Sequence, residues 1–182
     1  MIRAVIVLLT ASGCAFGYRG GGTVIVDQRG EGGVTAGTGL SFGLKTGDTH
    51  GVVATIDAGL GPGFPDAGGL VTAASGLDYI EQEVFGSSLG VRAGLRGQYL
   101  GWFKDSRFLR HAFGPGVALT LLVGLDREHF AGHEKMGGGS TRWDSLAIEF
   151  QTYYLPEWDR SPPAVLFSIG LSYAVDGVAE FF

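Results

Sequence analysis

Glu128-His129-Phe130-Ala131-Gly132-His133-Glu134 is the stretch where side chains capable of chemistry crowd most closely. On a helix, His129 and His133 would share one side, a spacing that can bind zinc. The H-E-x-x-H order is absent, however, and Gly132 with Gly137-Gly138-Gly139 works against a helix. A solvated hairpin loop is therefore the preferred reading and a metal site the weaker one. Ser140 follows closely, but no nucleophile-elbow motif surrounds it, and a loop serine without an adjacent base is inert. A second group is dispersed: Asp57, Arg92, Arg96 and Glu149 each interrupt a run of small residues. Turned toward one another these ions form a neutralising network; turned outward they are ordinary solvated charges. None of these patterns implies a cofactor.

The elements that carry these residues alternate with a period of two. In Val165 to Val175, Phe167, Ile169, Leu171 and Tyr173 take one parity, and Ser168, Gly170, Ser172 and Ala174 take the other. Side chains of an extended strand point alternately to opposite faces, so the segment has one bulky apolar face and one thin face. The same division recurs in 34–44, 52–60, 89–102, 117–125 and 145–154, with a shorter strand at 23–27 and a less regular one at 70–80. Gly47-Asp48 reads as a tight connection, whereas 104–116 and 128–142 read as long loops. No segment keeps an apolar stripe of helical period. About eight strands joined in sequence predict an all-β domain, a closed antiparallel up-and-down barrel whose closure removes exposed sheet edges.

Alternation alone leaves the barrel's polarity open, with the apolar face either a soluble core or a lipid-facing exterior. The composition of the thin face separates the two. Water-exposed strand faces carry long polar side chains, but here Gly, Ser, Thr and Ala dominate, which suits the narrow interior of an eight-stranded barrel. Asp57 and Glu149 are then expected to meet Arg92 and Arg96 inside, since an unpaired buried charge is costly. Strands of about ten residues match a tilted membrane crossing, and Tyr99, Trp102, Trp143, Tyr153, Tyr154 and Trp158 are candidates for interfacial girdles. Over residues 23–182 the pattern resembles the small outer-membrane β-barrels, and terminal Phe182 is similar to their assembly signal. Asp176-Gly177 reads as a turn that folds 178–182 back as a short last strand.

The N-terminus supplies an address. Arg3, the apolar run Ala4 to Leu9, and Ala11-Ser12-Gly13 before the lone Cys14 follow the order of a secretory signal. Ala-Ser-Gly-Cys resembles the lipobox of bacterial lipoproteins, which implies cleavage after residue 13, lipidation of Cys14 and, with Ala15 next, outer-membrane sorting. Residues 14–22 read as a lipidated tether to a barrel at 23–182. A short apolar strand with an inert cysteine is the competing reading.

A net charge of −5 argues against a nucleic-acid partner. Membrane lipid is the expected partner, through Cys14 and the barrel exterior. The expectation is a noncatalytic outer-membrane lipoprotein in a structural or surface-interaction role. The alternatives are a tethered periplasmic barrel binding a small hydrophobic ligand, and a lipid-modifying enzyme.

Overall fold

A computed structural model of the chain describes residues 13–45, 49–64, 68–84, 87–105, 107–130, 140–156 and 163–180. Within them the chain forms β1 (Gly13–Asp27), β2 (Gly32–Lys45), β3 (His50–Phe64), β4 (Gly68–Glu81), β5 (Leu89–Lys104), β6 (Arg107–Phe130), β7 (Ser140–Leu155) and β8 (Ala164–Glu180). Each strand pairs antiparallel with the next, and β8 closes on β1 through a register running from Gly13 opposite Glu180 to Asp27 opposite Leu166. The fold is a closed, eight-stranded, all-antiparallel barrel.

The bulky parity faces outward. Phe167, Ile169 and Leu171 on β8 are about half exposed, as are Leu40, Ile56, Leu77 and Val117 on other strands. The small parity lines the lumen. Two apolar clusters fill it at different heights: Ala15, Val53, Ile80, Leu122 and Trp143 toward the rim that holds Gly13 and Glu180, and Ile25, Leu70, Leu100, Tyr153 and Leu166 toward the opposite rim.

Several expectations are corrected. Residues 14–22 belong to β1, paired on both sides with β2 and β8, so they are part of the barrel and not a tether to it. Three glycines at 20–22 hide the strand from a side-chain pattern, although Phe16, Tyr18, Val24 and Val26 share one parity. The loop expected at 104–116 is mostly strand: β6 starts at Arg107, and a register shift beside Trp102 and Phe103 scrambles the alternation there. β8 runs unbroken through Asp176 and Gly177, because Asp176 faces the lumen and lies opposite Gly17 and Trp143. Three of the proposed girdle aromatics point inward instead, with Trp143 and Tyr153 buried and Trp102 packed on the inner core. Tyr154 is exposed on the exterior, Tyr99 shares its strand's outward parity, and Trp158 lies outside the described residues.

Candidate functional site: the ion-paired lumen and the apolar exterior

Between the two apolar clusters the lumen holds a belt of charge. Arg96 sits at its centre with a fully buried side chain, pairing with Asp78 (2.7 Å), Glu149 (3.1 Å) and Asp57 (3.2 Å). Arg19 pairs with Asp57 and Glu149 from β1. Arg92 lies nearer the terminal rim, 3.6 Å from Asp78 and 3.7 Å from Asp176, and donates to Ser41 Oγ at 3.1 Å. Lys45 is buried close by, its Nζ donating to Gln82 Oε1 at 2.6 Å. The belt therefore balances Arg19, Lys45, Arg92 and Arg96 against Asp57, Asp78, Glu149 and Asp176.

Glycines make room for these ions. Arg19, Gly39 and Asp57 lie side by side across β1, β2 and β3, and a Cβ on Gly39 would strike the Asp57 carboxylate and stand 2.8 Å from Arg19 Nε. Gly76 lies opposite Arg96, where a Cβ would come 2.7 Å from Arg96 Cγ. Gly94 lies opposite Asp78, and Gly17 opposite Asp176, with the carboxylate over the glycine in each case. Because side chains alternate in twos, a one-residue slip of any strand that carries a belt ion would turn that ion outward and bring the bulky parity inward. The belt thus acts as a register lock as well as a neutral core.

Of the residues singled out by sequence, Asp57 and Glu149 both meet Arg96, whereas Arg92 pairs with Asp78 and Asp176 instead. Sequence reasoning missed Arg19, Lys45, Asp78 and Asp176. Their common signal, a single ion on a small-residue parity, was present but lay in segments read as tether, turn or irregular strand. His129 falls in β6 opposite Thr141, and His133 lies outside the described residues. Among the described residues no group of three His, Cys, Asp or Glu side chains could hold a metal. Cys14 is a free, exposed thiol near the outward-facing end of β1.

Space inside is limited. The cavity beside the belt, walled by Arg19, Gly37, Asp57, Gln98 and Glu149, measures about 80 Å³. A wider hollow of about 390 Å³ opens at the terminal rim between Glu83, Ser88, Asp126 and Arg127, with Trp143 as its floor.

The exterior is the complement of the lumen. On β8, Val165 to Val175 spans ten intervals, about 33 Å along the strand and roughly 25 Å along the barrel axis at a tilt of about 40°. Within that height the outward parity carries no Asp, Glu, Lys or Arg among the described residues; such residues return only toward strand ends, as at Glu81, Arg107, Arg142 and Asp144. At the terminal rim, Tyr173 Oη donates to Asp144 and Tyr79 Oη to Glu81, each at 2.6 Å. These tyrosines join an apolar ring face to a polar edge, as interfacial tyrosines do.

No protein-family model and no curated protein sequence matches the chain. Solved structures do. The crystal structure of Neisserial surface protein A (NspA) superposes with a TM-score of 0.56 at 13% identity, over 91% of this chain and 97% of that one. This is the same barrel fold. The crystal structure of the outer membrane protein OprG from Pseudomonas aeruginosa aligns with a TM-score of 0.48 at 13% identity, over 94% of this chain and 98% of that one.

Proposed function

We propose that the protein is an integral, noncatalytic β-barrel of the bacterial outer membrane, with a structural or surface-interaction role. One observation carries the reading: a charge-free apolar band encircles a lumen filled with small residues and matched ions. In water so large a continuous apolar surface would drive aggregation. In a bilayer the same polarity is required, and closure pairs each strand on both sides within the band. The band's height of roughly 25 Å equals that of transmembrane barrels.

The lumen supports a plugged barrel rather than a pore. Trp143, Ile80 and Leu122 obstruct one end, Leu70, Leu100 and Tyr153 obstruct the other, and ions cross-link the middle. A hydrophobic-ligand carrier would need a dry apolar interior of about 300–1,000 Å³; the belt cavity is about 80 Å³ and walled by Arg19, Asp57 and Glu149, and the hollow of about 390 Å³ at the rim is lined by Glu83, Asp126 and Arg127. Lipidation of Cys14 is compatible with this arrangement. The residue lies on the outward parity of β1, two positions before Phe16, so an acyl chain attached there would lie along the apolar band beside Phe16.

The test is to express the full chain, fractionate the cells and wash the membranes with carbonate. An integral barrel stays in the outer-membrane fraction and migrates differently on a gel before and after heating. Extraction by carbonate without a migration shift would overturn the membrane reading. Labelled palmitate should enter the wild type and not C14S; equal labelling of both, or none, would remove the anchor and leave the barrel.

A further inference from the structure

The β5–β6 hairpin outruns its neighbour on one side. From Arg107 to Phe113, with Leu109 bulged out, β6 registers with β5 alone; β7 lies against Gly114 and pairs with β6 from Gly116 onward. Asp105 turns the chain with φ 51°, a conformation that aspartate tolerates in tight hairpins. Lys104 and Arg107 therefore become direct cross-strand partners at the tip. Both are exposed, and among the described residues neither enters an ion pair. Like charges directly opposite one another destabilise a strand pair, and an anion held between them removes that repulsion.

The same hairpin continues the apolar band. Phe103 and Phe108 meet edge to face with centroids 6.2 Å apart, and Tyr99 stacks on His111 at 6.4 Å. Phe113 and Phe108 cover Gly97 and Gly101 respectively, each approaching within 2.8 Å of where a Cβ would stand. Phe108 and Leu109 remain mostly exposed. Apolar chain contacts and a tip where Lys104 and Arg107 outweigh the single carboxylate of Asp105 thus meet at one end of the barrel, the arrangement that suits the boundary between acyl chains and headgroups.

We propose that the hairpin tip binds a phosphate-bearing lipid headgroup, with Lys104 and Arg107 clamping the phosphate and Phe103 and Phe108 lying on the acyl chains. This rests on the membrane reading above, and charge complementarity selects the ligand, since clustered cations at a membrane surface attract anionic headgroups.

The test uses the full chain refolded in neutral detergent with equal amounts of phosphatidic acid and phosphatidylcholine, read by native mass spectrometry. The wild type should retain phosphatidic acid over phosphatidylcholine by about tenfold, the effect of two cations near an anionic surface partly offset by the Asp105 carboxylate between them. K104Q/R107Q should bring the ratio near unity while keeping heat-modifiable migration, and F108S should reduce retention of phosphatidic acid. A wild-type ratio near unity, or an unchanged ratio in K104Q/R107Q, would overturn the proposal. So would displacement of phosphatidic acid by excess inorganic phosphate together with full retention in F108S, which would assign the tip to free phosphate. Heat-modifiable migration of the wild type in the same preparation keeps the outcomes apart: its loss sinks the membrane reading, and its presence with a ratio near unity sinks only the headgroup site.

Discussion

Replacing Arg96 with Met is the sharpest perturbation of the lumen. Its side chain is fully buried and pairs with three carboxylates, Asp57, Asp78 and Glu149. The belt otherwise balances four cations against four carboxylates, so the variant leaves one negative charge without compensation inside the lumen. Removing one partner of a buried ion pair costs about 3–5 kcal/mol, mostly because the remaining charge stays desolvated. R96M should therefore lose stability of that order. R96M/D78N restores the charge balance and leaves Arg92 still facing Asp176, so about 2 kcal/mol should return. The assay is the fraction of heat-modifiable folded band across a denaturant series in detergent or vesicles, analysed for wild type and both variants. Stability of R96M within about 0.5 kcal/mol of wild type, the range of ordinary surface substitutions, would refute the reasoning, as would a double variant no better than the single one.

Three further perturbations follow from the same geometry. G39V places methyl groups where the Asp57 carboxylate and Arg19 Nε lie, so it should destabilise the barrel by about 1–3 kcal/mol in the same gel assay. W143A opens the apolar cluster at the terminal rim and should cost about 3–5 kcal/mol. In planar bilayers the wild type should show no steady conductance, because the plugs and the belt leave no aqueous path. L95R puts a cation on the exposed mid-strand face of β5 and should cost about 2–4 kcal/mol in a bilayer; an unchanged or more stable L95R would indicate a water-facing position.

The fold was legible wherever bulky and small residues alternated without interruption, as in 34–44, 117–125 and 165–175. It became illegible where the alternation lost its markers. Gly20-Gly21-Gly22 has no side chains to report a face, so β1 read as a tether and Arg19 went unnoticed as a lumenal cation. At the tip of β5–β6 a register shift placed aromatics on consecutive positions and made strand look like loop. Asp176-Gly177 carries the composition of a turn, but its aspartate is held inside near Arg92 and its glycine lies beneath the Phe16 ring. Trp143 and Tyr153 were misplaced for a different reason. An aromatic near a strand end suits either an interface or a plug, and only the parity count, odd for the inward face of β7, distinguishes them.

The direction in which the bulky residues face can be measured outright. With C14S as background, single spin-labelled cysteines at Leu95, Ile169, Thr120 and Ala147 in reconstituted vesicles report access to oxygen, which enters lipid, and to a water-soluble nickel chelate. Leu95 and Ile169 should be open to oxygen and closed to nickel, while Thr120 and Ala147 should be shielded from both. Ready access of nickel to Leu95 and Ile169 would contradict the membrane barrel.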